Sequence, residues 1–260
     1  MAKNKETHKF VSTNDKLILM RKIIIFLFAF SPFFLYAQQN QILHEVALGV
    51  NGGVNFYKVS FLHNNPMAAQ ELGDVGMSMG MKGGVTARYI SMKHFGVQLE
   101  MNWVQSGWSE KFNNGDYING VNFSGVEISR RLNYIEIPLL SHIYFGKKTR
   151  FFVNLGPKLG ILAFYGELKT NMTSEQMAVF KPDDPRIYDK GHNSFDYGLC
   201  VGGGLNLQFG RLHTILEGRY TFGFGDVYSN SKSDVYQRSN NQNVAITMAF
   251  LLPIKTFYGN

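Results

Sequence analysis

The chain is poor in cysteine and, beyond its N-terminal region, in long apolar segments. Its one cysteine, Cys200, excludes an internal disulfide, and no neighbouring group indicates an activated thiol, so we expect a packed side chain. After residue 37, no apolar run approaches the ~20 residues that a membrane-spanning helix needs. Any membrane crossing by this part of the chain would therefore require closed β-structure.

Clustered metal ligands and phosphate-binding loops are also missing. The histidines after residue 37 form no His-x-x-x-His pair and have no companion cysteines; they are His44, His63, His94, His142, His192 and His213. The glycine runs at 52–53, 83–84 and 202–204 are not followed by helical periodicity, which a phosphate loop requires. We therefore expect no metal and no bound cofactor, and we assign these glycines to sharply curved strands.

The N-terminus has the pattern of a secretory signal peptide. An apolar run at residues 23–36 follows Arg21 and Lys22 and ends at Ala37, a small residue at a plausible cleavage point. We predict a signal peptide over residues 1–37, with Met20 as an alternative start, and a mature domain over residues 38–260. Removing residues 1–37 takes away six Lys or Arg and two Asp or Glu, which lowers the net charge from +7 to +3. Nucleic acid is therefore not an expected partner.

Residues 195–209 carry the clearest structural pattern. Apolar side chains occupy one parity, interrupted only by Gly203, while glycine and small polar residues occupy the other. The apolar set is Phe195, Tyr197, Leu199, Val201, Leu205, Leu207 and Phe209. A period of two over this length exceeds the ~5–6 residues of an ordinary strand and meets the ~9–11 that a tilted membrane strand needs. The pattern predicts a strand with lipid on one side and a packed polar interior on the other.

Seven further stretches repeat this alternation, so the sequence predicts an all-β protein. The eight predicted strands are 44–60, 77–92, 95–109, 129–145, 150–167, 194–209, 212–227 and 242–257. Short connections alternate strictly with long polar ones at about 61–76, 110–128, 168–193 and 228–241. This arrangement is typical of an eight-stranded, antiparallel, up-and-down barrel in the outer membrane of a Gram-negative cell, with both termini on the periplasmic side. Pro138, Pro157 and Pro253 each remove a donor and predict bulges or strand ends.

The inward parity of these strands collects charges of both signs. The predicted luminal network is Glu45, Lys82, Arg88, Glu100, Glu136, Lys158, Asp196, Glu217 and Arg219, five acids and four bases. Because an eight-stranded barrel is just wide enough to be filled by its own side chains, we expect these charges to pair and fill the lumen. A narrow ion or proton path lined by the same residues is the alternative.

Two other groups of polar residues allow a chemical interpretation. His192, Ser194 and Asp196 lie close together at the outer end of the sixth strand, where an enzyme of the acyl-transferase or protease type could place its catalytic residues. Asp183, Asp184 and Asp189 could supply carboxylate oxygens to Ca²⁺, but the EF-hand spacing is missing. We expect neither site, and therefore a protein that is not an enzyme.

Several segments resemble the PorT-like outer-membrane β-barrel family of Bacteroidetes. The most specific is Tyr-Ile-Glu-Ile-Pro-Leu-Leu within residues 132–140, followed by residues 154–160. Residues 83–85, 95–100 and 217–220 match the other strands of that family. The resemblance implies an eight-stranded outer-membrane barrel without an established general activity. The founding member serves protein secretion through the type IX system, but its characteristic N-terminal segment is not evident in this chain.

Three functions are compatible with these observations. The first is a structural or surface-binding barrel that contacts membrane lipid and presents its outer loops to an envelope protein or a glycan. The second is an accessory component of a type IX-like secretion or surface-assembly complex, and the third is a rim enzyme or narrow pore. The longest connection, 168–193, contains the apolar residues Met172, Met177, Val179, Phe180 and Tyr188. We expect these either to form a docking surface together with 110–128 or to fold over the barrel mouth.

Overall fold

The structure, a computed structural model, describes residues 42–63, 74–180, 184, 187, 193–228 and 236–259. The predicted signal peptide, with the alternative start at Met20, lies outside the described residues. In chain order, the elements are β1 (Ile42–His63), β2 (Asp74–Gly76), β3 (Ser78–Met92), β4 (Phe95–Lys111), β5 (Tyr117–Ile118), β6 (Val121–Asn122), β7 (Glu127–Gly146), β8 (Thr149–Tyr165), β9 (Lys169–Thr170), α1 (Ser174–Met177), β10 (Phe195–Phe209), β11 (Leu212–Asp226) and β12 (Tyr236–Gly259). Among the described residues, no helix is long and apolar enough to cross a membrane.

Eight long antiparallel strands close into a ring. Around the ring their order is β1, β3, β4, β7, β8, β10, β11 and β12, and β12 pairs with β1 to complete it. Two-residue turns join β3 to β4, β7 to β8 and β10 to β11, and together they define the short-turn end of the barrel. The long connections leave from the opposite end. The predicted eight-stranded antiparallel barrel is therefore confirmed.

The alternation along each strand separates an apolar exterior from a polar interior. On β10, Phe195, Tyr197, Leu199 and Val201 are each about half exposed, whereas Asp196 between them is 4% exposed. Forty large apolar side chains are exposed in the described part of the chain. A soluble protein rarely shows such a continuous apolar surface, and this one matches the lipid-facing band of a membrane barrel.

The height of the apolar band can be read from β7. Its outward residues from Ile135 to Phe145 are apolar apart from Ser141. At ~3.3 Å per residue this segment is about 33 Å long, and a tilt of ~40° reduces its height to about 25 Å, as expected for an outer-membrane barrel. Beyond Ile135, toward the long connections, the outward residues become polar. The barrel wall therefore extends past the apolar band at this end.

The prolines behave differently from one another. Next to Pro253, the register of β12 against β1 shifts by one residue, as expected of a bulge. At Pro138 and Pro157, however, β7 and β8 continue without a register shift, so the prediction of bulges or strand ends there was wrong. Each proline interrupts the strand pairing on one side only. Pro138 has no partner on β4 but pairs with β8, and Pro157 has no partner on β7 but pairs with β10. This follows because a residue in an antiparallel strand donates its N–H to only one neighbour.

The interior has three layers. A mouth cluster lies at the long-connection end and consists of Val59, Trp108, Phe112, Ile118, Phe123, Val126, Ile128, Leu132, Tyr134, Phe180, Ile187, Val227 and Tyr228. A smaller cluster at the short-turn end consists of Ala47, Ile90, Tyr144, Phe152, Ile215, Ala249 and Leu251. Buried polar and charged side chains occupy the space between them.

Candidate functional site

All nine side chains of the predicted luminal network are buried. Their exposed fractions lie between 1% and 6%; the residues are Glu45, Lys82, Arg88, Glu100, Glu136, Lys158, Asp196, Glu217 and Arg219. They come from seven of the eight wall strands, because the inward parity places one or two on each strand except β12. The structure brings them into two ion triads and a set of more isolated charges.

The first triad is centred on Lys158 of β8. Its Nζ donates to Glu136 Oε1 and to Asp196 Oδ2, both at 2.8 Å. The two acids lie on β7 and β10, the strands that flank β8 in the ring. Asp196 Oδ2 also accepts a hydrogen bond from Asn241 Nδ2 at 3.2 Å. One cation thus serves two buried carboxylates, and the triad carries one formal negative charge.

The second triad spans the lumen. Arg219 of β11 donates from Nη1 and Nη2 to the two carboxylate oxygens of Glu100 on β4, each at 2.7 Å. Three strands separate β4 from β11 on either side of the ring, so this bidentate pair crosses the full width of the barrel. Arg219 also donates twice to Glu217, at 2.9 Å each. Gln98 and Asn102 donate to Glu100 at 2.6 and 2.7 Å, which completes the hydrogen bonding of a charge buried in the centre.

A hydrogen-bonded chain continues from this triad toward the short-turn end. Asn154 Nδ2 donates to Glu217 Oε1 at 3.1 Å, and its Oδ1 lies 2.8 Å from His142 Nδ1. His142 Nε2 in turn lies 3.3 Å from Arg88 Nη1. Arg88 makes no ion pair with any described residue, so it does not pair in the way the sequence predicts.

The remaining network members are Glu45 and Lys82. Glu45 Oε1 lies 3.4 Å from His213 Nε2. Lys82 has no ion pair within the described part of the chain, and it lines a cavity of about 10 Å³ together with Glu100 and Arg219. That volume holds about one water molecule (~10–15 Å³ is the minimum), so the centre of the barrel is nearly filled.

Other buried polar groups were not predicted from the sequence. Glu110 and Arg130 are 0% and 5% exposed near the long-connection end, and both fall on the inward parity of β4 and β7. Glu110 was missed because the predicted strand ended at residue 109. The neutral residues Asn102, Asn154 and Asn241, which bridge the charges, were not singled out. Inward parity was the available signal for all five residues.

The rim group considered from the sequence, His192, Ser194 and Asp196, is described only in part. His192 lies outside the described residues, and Ser194 is exposed. Asp196 is 4% exposed, and its Oδ2 is bound by Lys158, so it belongs to the luminal network. Cys200 is buried beside Thr221, with its Sγ 3.5 Å from Oγ1, consistent with a packed thiol.

Of the three carboxylates that could supply oxygens to Ca²⁺, only one lies within the described part of the chain. Asp183 and Asp189 lie outside it, and Asp184 is only 2% exposed. Among the described residues, no group of three His, Cys, Asp or Glu side chains is arranged to hold a metal ion.

The apolar residues of the longest connection fold over the mouth. Phe180 and Ile187 are each 7% exposed within the mouth cluster, and Met172 and Val179 pack against it. Of the two arrangements expected for this loop, these residues adopt the second, with the apolar side chains turned inward. Tyr188 lies outside the described residues. The cluster is tied to the wall by the hydrogen bond from Trp108 Nε1 to Tyr228 Oη at 2.8 Å.

Two of the long connections are fastened to each other. The connection between β4 and β7 contains the β5–β6 hairpin, whose turn at Asn119 and Gly120 has positive φ values of 49° and 82°. Gln176 of α1 donates to the carbonyl of Asn122 at 2.7 Å. Asn171 donates to a second carbonyl of the hairpin connection at 3.1 Å and accepts from the backbone N–H of residue 127 at 2.8 Å. We call residues 113–125 together with 171–176 the loop platform.

A comparison with protein families agrees with this architecture. The model of a family described as outer membrane protein beta-barrel domain matches residues 36–229, well over half of the chain. The chain belongs to the outer membrane protein beta-barrel domain family. Membership in this family makes the protein an outer-membrane β-barrel protein. No curated protein sequence matches it.

Solved barrels resemble this member of the outer membrane protein beta-barrel domain family at low identity. Ail of Yersinia pestis is 10% identical over 80% of this chain and 99% of its own, with a TM-score of 0.37. OprG from Pseudomonas aeruginosa is 11% identical over 85% and 98%, with a TM-score of 0.39. The protease OmpT from Escherichia coli is 9% identical over 85% and 99%, with a TM-score of 0.31. At these values the likeness carries no information about function.

Proposed function

We propose that this protein is a non-catalytic surface-binding barrel whose outer loops, rather than its lumen, contact a partner. The observation that carries the proposal is the contrast between the lumen, which is filled and covered, and the outer loops, which are accessible. Inside the ring, Glu100 and Arg219 form a bidentate pair across the full width. The mouth cluster covers the lumen from above. A filled and covered lumen leaves the loops as the accessible polar surface.

The loop platform has the composition of a binding surface. Its exposed residues are Asn113, Asn114, Gly115, Tyr117, Asn119, Gly120, Asn122, Ser124, Gly125, Asn171, Thr173, Ser174 and Glu175. Tyr117 is 61% exposed at the side of the hairpin. Tyrosine, asparagine, serine and glycine predominate in natural recognition loops because they combine contact area with adaptable hydrogen bonding. The hydrogen bonds to Gln176 and Asn171 hold the platform in place, which lowers the entropy that binding would otherwise lose.

The same proposal includes a route to the cell surface. Residues 1–37 would act as a cleaved signal peptide, and residues 38–260 would form the exported domain of a PorT-like protein. The long connections would then face the cell exterior, since both ends of the barrel chain lie at the short-turn end. The partner that fits the platform is an envelope protein or a glycan, recognised by hydrogen bonds and by the Tyr117 ring.

The test is the variant Tyr117→Ala combined with Asn114→Ala. Both side chains are exposed, so the barrel should fold and keep its heat-modifiable gel shift. Proteins cross-linked to the wild-type barrel in native outer membrane are identified, and the affinity of each purified candidate is then measured. We expect at least tenfold weaker binding by the variant, and no change for the matched control Lys147→Ala at the short-turn end. A variant that binds every partner as the wild type does would contradict the proposal.

A further inference from the structure

A groove of about 600 Å³ lies where β4, β7 and β8 pass beyond the apolar band, and its lining combines outward residues of the wall with the inward-facing Tyr57, Trp108 and Arg130. On β7 the outward residues change from Ile135 to Asn133, Arg131 and Ser129 at this level. Trp103 marks the last large apolar side chain on the outward parity of β4. The groove is therefore placed at the height where lipid headgroups meet the acyl chains.

Three cations line this groove: Arg130, which is 5% exposed, and the exposed Arg131 and Lys169. Lys169 pairs directly with Ser129, and Arg131 lies two residues further along the same face of β7. Such diagonal neighbours are ~7–8 Å apart, within reach of a single phosphate for two long side chains. Arg131 and Lys169 are exposed, and neither forms an ion pair with any residue that the structure describes. The one carboxylate in the lining is Glu167, so the groove keeps an excess of positive charge.

The next cation on the same face is already neutralised. Lys111 is paired with Glu127 across the β4–β7 seam in an ion pair, so its charge is compensated inside the protein. No described carboxylate forms an ion pair with Arg131 or Lys169, so their charges are available to an external anion. A phosphate group is the natural anion at a membrane surface, and Arg binds it with a bidentate fork.

The rest of the lining fits the other parts of an amphiphilic ligand. Met79 and Phe164, which also line the groove, are 64% and 56% exposed, so they are accessible to acyl chains. Asn133 is 3% exposed, and its Oδ1 has no hydrogen-bond partner among the described residues. Because this oxygen is not accessible to solvent, the Asn133 side chain has to turn outward to accept a hydrogen bond from a sugar hydroxyl; the hydroxyl of Ser129 adds a second polar group.

We propose that this groove binds the phosphorylated sugar headgroup of an outer-leaflet glycolipid. Arg131 and Lys169 hold the phosphate, Asn133 and Ser129 contact the sugar, and Met79 with Phe164 contacts the first acyl methylenes. The assignment to the outer leaflet rests on the orientation given under the proposed function. The binding chemistry itself does not depend on that orientation.

The test is a titration of the purified, refolded barrel in detergent. The chain has two tryptophans; Trp108 lines the groove and Trp103 lies just below it, so their fluorescence is the readout. The probes are diphosphoryl lipid A, lipid A with both phosphates removed, and phosphatidylglycerol. We expect diphosphoryl lipid A to bind at least tenfold more tightly than either of the others. Equal affinity for the dephosphorylated form would overturn the role of the cations, and equal affinity for phosphatidylglycerol would overturn the assignment to a glycolipid.

The decisive variant is Arg131→Glu with Lys169→Glu, compared with Lys147→Glu and Lys148→Glu at the short-turn end. All four side chains are exposed, so both variants make the same change in net charge without burying it. We expect at least tenfold weaker binding of diphosphoryl lipid A by the first variant only. If charge reversal prevents folding, Arg131→Gln with Lys169→Gln replaces it. Equal losses in both variants would overturn the proposal, whereas surface labelling of Lys147 in sealed cells would overturn the orientation alone.

Discussion

Replacing Lys158 by methionine tests the charged lumen most directly, because a single cation is shared by two carboxylates. Lys158 is 1% exposed, and its Nζ lies 2.8 Å from oxygens of both Glu136 and Asp196. Those two oxygens can be no more than about 5.6 Å apart, and at an effective dielectric constant of ~20 two unit charges at that distance repel by ~3 kcal/mol. Removing one partner of a buried ion pair generally costs ~3–5 kcal/mol. We expect the free energy of unfolding to fall by about that amount.

The measurement is denaturant unfolding in lipid vesicles, followed by the gel shift between folded and unfolded barrel. Lys147→Met is the matched control; this lysine is exposed, so its loss should change stability by no more than ~0.5 kcal/mol. Adding Glu136→Gln and Asp196→Asn to Lys158→Met removes both stranded charges and should recover most of the loss. The reasoning is refuted if Lys158→Met unfolds within ~1 kcal/mol of the wild type, because the two carboxylates would then not need their cation.

Three further predictions concern topology, wall packing and conductance. An epitope tag after Gly115 should be accessible on intact cells, whereas a tag after Lys147 should become accessible only once the outer membrane is opened; the reverse pattern would contradict the orientation. Gly204→Ala places a Cβ 1.9 Å from the carbonyl oxygen of Leu216, so it should lower the free energy of unfolding by ~1–3 kcal/mol or more. A Cβ at Gly218 meets open space, so Gly218→Ala should be nearly neutral, and equal effects of the two variants in unfolding experiments would refute this prediction. Planar-bilayer recordings should show no steady conductance, and a large stable pore would show that the lumen is not closed.

The wall of the barrel could be predicted from the sequence because two different solvents act on its two faces. Because lipid lies outside and polar groups lie inside, apolar and polar residues must alternate along each strand, as they do along 195–209. The same alternation assigned nine buried charges to the lumen. Beyond the apolar band this constraint disappears, since water replaces lipid. Two predicted strands were consequently too short at this end: β12 begins at Tyr236 instead of 242, and β4 continues to Lys111 instead of 109. The prediction for β8, by contrast, was too long, since this strand ends at Tyr165 instead of 167.

Pairing across the lumen could not be predicted in the same way. Parity shows that Glu100 and Arg219 point inward, but their contact depends on how far each strand is staggered around the closed ring. The expectation that all nine charges pair also fails for Arg88 and Lys82, neither of which forms an ion pair with a described residue. Arg88 instead contacts His142 at 3.3 Å. The position of the loop 168–193 could not be predicted for a similar reason. Its apolar residues fit either a docking surface or a cover, and only the packing of Phe180 and Ile187 within the mouth cluster shows that they form a cover.

The geometry of the second triad bears on whether this barrel can act as a pore. A wide path along the axis would have to separate Glu100 from Arg219, because their bond crosses the ring from β4 to β11. Separation breaks two charge-assisted hydrogen bonds, each contributing ~1.5–3 kcal/mol, and exposes charges that Gln98 and Asn102 also bind. The path would then have to pass the mouth cluster, whose Phe123 and Phe180 rings are in edge contact. These two barriers lie in series and favour a closed lumen. Binding would then take place at the loop platform and at the groove that contains Arg131 and Lys169.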